Sequence, residues 1–155
     1  MISTSHQQSG RVLILEKDNS NRVLFADYLE QCGYQVFSLA NEQKIFESLA
    51  VFNPQVLILN LKMTFIDGFS IIEQLRSHSR WQHELAILVV SGYSLSTDKQ
   101  RAYRLGADAY LTKPMLPIEL SETVAELMSL ERVQLSGPQL SCPVEKPLLE
   151  NALRK

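Results

Sequence analysis

The sequence predicts an α/β fold, a five-stranded parallel sheet, doubly wound, with helices on both faces. Three observations predict it. Val12-Leu13-Ile14-Leu15 and Val56-Leu57-Ile58-Leu59 are wholly apolar runs of strand length, as strands covered on both faces require. Such runs alternate with longer segments of helical period. No strand-helix unit leaves room for an antiparallel hairpin, so the strands run parallel.

After a polar arm, residues 1–10, the chain opens on the first apolar run. Asn19-Ser20-Asn21 supplies capping oxygens for a first helix. Along it Val23, Leu24, Ala26, Asp27, Tyr28 and Leu29 form a mostly apolar stripe, and Cys32-Gly33 stops it. Tyr34–Leu39 reads as the second strand. A second helix over Glu42–Val51 turns Ile45, Phe46, Leu49 and Ala50 inward, and Pro54 ends it. The third strand is the second apolar run, stopping at Asn60.

Asp67-Gly68 marks a turn into a third helix over residues 69–77. Leu85–Val90 is the fourth strand and ends in Ser91-Gly92. Thr97-Asp98-Lys99-Gln100 has capping-box spacing for a fourth helix, which ends at Gly106. Ala107–Leu111 is a short fifth strand, and Pro117 suits the first turn of a fifth helix reaching Leu130. From Val133 the composition shifts, and three of the six prolines lie between 138 and 147. The organisation read from this is an arm over 1–10, one domain over 11–131, and a linker or tail over 132–155. A short helix is expected near 148–154, where Leu148, Leu149, Ala152 and Leu153 would dock on a partner or fray.

The 155 residues carry 15 Lys+Arg against 17 Asp+Glu, a formal net charge of −2, with 45% hydrophobic and 21% charged residues. That composition is globular and long enough for a substantial core. A pI of 5.9 gives no broad attraction to nucleic acid or to an anionic membrane. No apolar run approaches the roughly 20 residues that span a bilayer, and the opening MISTSHQQSGR lacks the apolar centre of a secretory signal. Cys32 and Cys142 stand 110 positions apart, which suggests neither a disulfide framework nor a metal knuckle. A cytoplasmic location is the expectation by default. Neither a helix-turn-helix nor a basic stripe marks DNA contact.

In an open parallel sheet, ligands bind beyond the carboxyl ends of the strands. The residues there are Glu16-Lys17-Asp18, Asn60, Ser91-Gly92 and Lys113-Pro114. LILEKDNSNR after the first strand, PQVLILNLKMTFIDG across the third, LVVSG at the fourth and GADAYLTKP at the fifth, in that order and spacing, resemble the receiver domain of bacterial response regulators. The resemblance covers residues 10–131. It implies a flavodoxin-like strand order, 2-1-3-4-5, and a two-component phosphorelay signalling module.

Carried over residue by residue, the family pattern implies these roles. An acidic pair that helps hold Mg²⁺ falls on Glu16 and Lys17. The phosphoacceptor aspartate falls on Asn60. The hydroxyl ending the fourth strand is Ser91, the switch aromatic is Tyr110, and the phosphate-pairing lysine is Lys113. Thr64 replaces the proline usual shortly after the acceptor.

The departures carry the chemistry. An acyl phosphate needs a carboxylate nucleophile, and the neutral amide of Asn60 cannot form one. Mg²⁺ wants hard oxygen ligands, and Lys17 puts an ammonium where a carboxylate is expected. Glu16, Lys17, Asn60 and Lys113 together carry a formal charge of +1, where three acids and one lysine would carry −2. Attraction for a divalent cation has become repulsion. Asp18, one residue late, could capture metal in place of the lost acid, but it restores no nucleophile.

The expectation is therefore a phosphorylation-independent pseudo-receiver, not an enzyme, with no cofactor and no bound metal. It would act by binding a protein, either a signalling kinase or an output protein, with no role for nucleic acid or membrane. The resemblance offers the face of fourth helix, fifth strand and fifth helix for a homodimer, with Tyr110, Tyr103 and Arg104 on it. Ser91, Tyr110 and Lys113 are either a live switch couple or an inherited scaffold in which Lys113 pairs with Glu16. Lys17 is either an internal cation in place of metal or a lysine reaching solvent.

Lys99, Arg101 and Arg104 beside Tyr103 contact a partner or form a solvated helix face. His78, Trp81 and His83 read as a loop with one apolar anchor. Two alternatives stay open: an anion or small-molecule sensor using the vacated pocket, and a residual phospho-switch on a hydroxyl such as Ser91. A conventional α/β enzyme is disfavoured. EKDNSN after the first strand holds no glycine, and no nucleophile–His–acid set is apparent.

Overall fold

A computed structural model describes residues 10–130. Of the expected arm over 1–10 all but Gly10, and the whole tail over 132–155 with its helix near 148–154, lie outside the described residues. Five strands form one parallel sheet: β1 (Arg11–Leu15), β2 (Gln35–Leu39), β3 (Val56–Leu59), β4 (Ala86–Ser91) and β5 (Ala109–Thr112). Their order is β2-β1-β3-β4-β5, as expected. The helices are α1 (Asn19–Gln31), α2 (Ile45–Phe52), α3 (Gly68–Ser77), α4 (Trp81–Glu84), α5 (Ser96–Leu105) and α6 (Pro117–Ser129).

Alternation along the central strands divides the core in two. Val12, Ile14, Val56, Ile58, Leu88 and Val90 pack with Phe25 and Leu29 of α1 and with Leu120, Val124 and Leu127 of α6. Leu13, Leu15, Leu57, Leu59, Ile87 and Val89 pack on the opposite face with residues of α2, α3 and α5 and with Trp81. Because both faces are covered, every residue of β3 and β4 is buried, and a continuous apolar run is what such a strand needs.

Several local expectations are corrected. Asp18 rather than Asn19-Ser20-Asn21 caps α1, its Oδ2 accepting from the Asn21 amide at 2.8 Å. The buried residues of α1 are Phe25 and Leu29, while Val23 and Leu24 are each 49% exposed. Glu42–Lys44 forms a 3₁₀ turn before α2, and Ala50 faces outward. The capping box at Thr97–Gln100 is not formed: α5 starts at Ser96 after Leu95, without a side-chain cap. The segment read as a loop around His78 and Trp81 contains a one-turn helix. Trp81 is buried there, with ring centroids 4.5 Å from His78 and 6.2 Å from Phe46.

Arg76 holds that connection together. Its guanidinium donates to the carbonyls of Gly106 (2.9 Å), Trp81 (2.7 Å) and Leu85 (2.8 Å) and pairs with Asp108 Oδ2 at 2.8 Å. Asp108 also accepts from the Ile87 amide, which ties α3 to the starts of β4 and β5. Gly68 lets α3 begin directly against the end of β3. A Cβ there would lie 2.6 Å from Leu61 Cα and 2.8 Å from the Asn60 carbonyl oxygen.

Candidate functional site

The strand register brings the site residues together. Leu15 lies beside Leu39 and Leu59, Leu59 beside Val89, and Ser91 beside Thr112. Glu16, Asn60, Ser91 and Lys113 therefore gather at the carboxyl ends of β1, β3, β4 and β5. The point where strand order reverses lies between β1 and β3, at Glu16 and Asn60.

Glu16 is the centre of this pocket and is only 2% exposed. Its Oε1 pairs with Lys113 Nζ at 2.6 Å. Its Oε2 accepts from Asn60 Nδ2 at 3.1 Å and from the Asp18 amide at 2.9 Å. Asn60, also buried, uses its Oδ1 to accept from the Lys62 amide at 3.3 Å, holding the first turn of the following loop. Burial makes an unpaired carboxylate costly, and here both oxygens are met by groups of the chain itself.

Lys17 is exposed, and the cation that meets Glu16 is Lys113. The expectation of an internal cation at Lys17 is thereby corrected. The lysine sits two residues past the end of β1, one beyond the inward-turned Glu16. Asp18 is likewise exposed and engaged in capping α1. A magnesium ion does not fit this donor set. One acid is held by a lysine, an ammonium replaces the second, and the third position offers an amide already bonded to the first.

Ser91 is fully buried, and its Oγ accepts from the Tyr93 amide at 3.1 Å. Tyr110 is 1% exposed, and its hydroxyl donates to the Tyr93 carbonyl at 2.6 Å. Burial pushes the Tyr110 phenol up to about 12, against a lowering hydrogen bond from Ser91 and with small raising effects of Asp98 and Tyr93. The three side chains expected on one interaction face are split. Tyr110 lies in the core, Tyr103 is half-buried against the same cluster, and Arg104 is exposed. The β5 pleat that directs Tyr110 toward Ala102 and Val89 takes it off the surface.

Two participants were not legible beforehand. Glu42, 2% exposed, accepts through Oε2 from the amides of Phe65 and Ile66 and so straps the loop that follows Asn60. Tyr93 contributes only its peptide groups, which no side-chain pattern signals. Beside Lys113 a groove of about 310 Å³ is lined by Asn21, Leu24, Phe25, Pro114 and Met115. Among the described residues no helix is long and apolar enough to cross a membrane.

Comparison with known proteins agrees with this geometry. A profile of the response regulator receiver domain matches residues 12–125. Protein RcaC of Microchaete diplosiphon is 32% identical over 124 residues, covering 80% of this chain and 19% of RcaC. A crystal structure of a response regulator signal receiver domain from Bermanella marisrubri is 30% identical. It matches 79% of this chain and 100% of that one, with a TM-score of 0.71. Chemotaxis response regulator CheY4 of Vibrio cholerae shares the fold at 23% identity, with a TM-score of 0.72 over 77% of this chain and 99% of its own. The chain spans between 19% and 54% of the length of the first four curated relatives it matches.

Proposed function

Since the chain belongs to the response regulator receiver domain family of two-component systems, we propose that it is a phosphorylation-independent member that signals by protein contact. The observation supporting this is the closed network of Glu16, Asn60 and Lys113. The carboxylate that would attend a metal is bonded to a lysine and to the amide standing at the acceptor position. The reading makes the chain a binding module rather than an enzyme, working in the cytoplasm on a kinase or output protein.

The test is incubation with Mg²⁺ and a small phosphoryl donor or beryllium fluoride, reading mass and thermal stability. The wild type is expected to remain inert, while the Lys17→Asp, Asn60→Asp double variant responds. Uptake of a phosphoryl group by the wild type sinks the reading in favour of a phospho-switch on another residue.

A second copy of the chain is the partner best matched to the face formed by α5, β5 and α6. Arg104 is exposed on α5, and Glu119, Glu122 and Glu126 are exposed on α6. A two-fold axis in the sheet plane sets the basic helix of one copy against the acidic helix of the other. Light scattering of the wild type and of Arg104→Glu at low and high salt reads this directly. A monomer at every concentration and salt tested removes the homodimer.

A further inference from the structure

A helix face turned to solvent is ordinarily polar, and α1 departs from that. Leu24 is 49% exposed, and it lines the groove of about 310 Å³ beside Lys113, with Phe25, Pro114 and Met115 as its other apolar walls and Asn21 as a polar one. Sites that enclose a whole small molecule run from roughly 300 to 1,000 Å³. This groove lies at the bottom of that range, a size suited to a few aliphatic side chains. The sequence itself carries a segment that matches. In 147–155, PLLENALRK, the residues Leu148, Leu149, Ala152 and Leu153 recur at the spacing that sets them on one side of a helix, with Glu150, Asn151 and Arg154 on the other. Pro147 suits the first turn of such a helix.

Length decides whether that segment can arrive. α6 leads away from the groove: Pro117 follows Met115 by two positions, while Met128 lies against Gly10, just before β1 at the opposite end of the sheet. The 13 residues of α6 rise about 20 Å. As a coil, the 17 residues 131–147 have an end-to-end distance of roughly 20–25 Å, so the connection matches the span it has to return over. A tether of matching length gives its segment an effective concentration in about the millimolar range. Even a contact too weak to persist between separate molecules is then largely occupied. Charge agrees as well. Asp27, exposed and three positions past Leu24, puts an acid at the rim, and the segment carries Arg154 and Lys155 against one acid, Glu150. We infer that residues 147–155 fold back as a short helix onto the groove between α1 and the β5–α6 loop, laying Leu148, Leu149 and Leu153 over Leu24, Phe25 and Met115. The occupant is this chain's own segment, a built-in competitor that any protein reading this side of the domain has to displace. The contact involves neither metal nor phosphoryl group, so it stands or falls apart from the function proposed above.

Magnetic resonance of the full chain tests this. Asn151→Cys, in a chain whose two natural cysteines are replaced (Cys32→Ser, Cys142→Ser), carries a nitroxide on the polar side of the segment. The amides of Leu24, Phe25 and Met115 are expected to lose most of their signal, and to regain it when the nitroxide is reduced or when Leu148→Asp and Leu149→Asp are added. Leu24→Asp, a change at an exposed position, should release the segment from the other side. Broadening at Phe25 and Met115 then disappears, while the amides of β1 and β3 keep their positions. Mixing a nitroxide-bearing chain with an isotope-labelled chain that has no nitroxide should leave every signal unchanged.

Broadening that is absent, or confined to Gly10, Tyr34 and Met128 beside the end of α6, would overturn the inference, because the segment then does not return along the helix. Broadening at Leu24 that survives both aspartates overturns it too, since the leucines are then not what docks. Broadening in the mixed sample assigns the groove to a second copy instead. If Leu24→Asp disturbs the sheet, the two aspartates in the segment, which change nothing in the domain, decide alone. Phosphoryl uptake by the wild type with these results intact would refute the function proposed above and leave the docked segment standing.

Discussion

Replacing Lys113 by alanine isolates what holds the pocket closed. The ammonium lies 2.6 Å from Glu16 Oε1, with the lysine side chain 20% exposed and the glutamate side chain 2% exposed. At an effective dielectric near 20, two unit charges at that separation attract by roughly 6 kcal/mol before desolvation is counted. Desolvation cancels much of this. Removing one partner of a buried pair costs about 3–5 kcal/mol, because the other charge stays behind unmatched. Glu16 would keep its bonds from Asn60 Nδ2 and the Asp18 amide, which places the loss near the low end, about 3 kcal/mol.

Glu16→Gln removes the buried charge itself, and Lys113 can turn to solvent, so this variant should lose only about 1 kcal/mol. Urea unfolding of wild type, both single variants and the Glu16→Gln, Lys113→Ala double variant completes the cycle, with an expected coupling of about 2 kcal/mol. Melting should fall roughly 6–12 °C in Lys113→Ala. A loss below about 1 kcal/mol in Lys113→Ala, or additive single effects, would refute the view of Glu16 as a buried charge neutralised from within.

Other consequences can be checked separately. Gly68→Ala should cost about 1–3 kcal/mol by urea unfolding, since the added Cβ meets backbone at Leu61 and Asn60 and neither can retreat. Arg76→Met should lose about 2–4 kcal/mol by the same assay, because three carbonyls and Asp108 lose a shared donor. Tyr110, ordinarily titrating at 10.0 and held at about 12 by burial, stays protonated in the folded protein while the unfolded chain gives up its proton. Stability should therefore be independent of this group below pH 10 and fall as pH rises from 10 to about 12. In Tyr110→Phe that alkaline slope should be shallower when followed by circular dichroism.

The sheet was readable because burial on both faces leaves an unambiguous mark. Val56–Leu59 has no polar residue in it, and nothing but a covered strand accounts for so short a run. Its end at Asn60, and the ends at Glu16 and Lys113, followed at once. Less was readable where a side chain's task is set by a neighbour distant in sequence. Glu42 looks like an ordinary first-turn acid, and its hold on Phe65 and Ile66 exists only once β2 and β3 lie two strands apart. Arg76 resembles a cation at the end of a helix. These four acceptors come from two separate segments, residues 81–85 and 106–108. Val23 and Leu24 show the opposite failure: helical period marked an apolar stripe, but the rotation of α1 buries Phe25, which lay outside that stripe, together with Leu29, which lay in it.

Glu16 leads to a conclusion about information. A protein reports on a ligand only through a difference in affinity between two of its states. On the reading proposed above, a carboxylate with all its partners inside the chain leaves no such difference for divalent cations, and chelator should leave the melting temperature where it was. The same reading makes the molecule a fixed reference in its circuit, its effect set by how many copies are made and when.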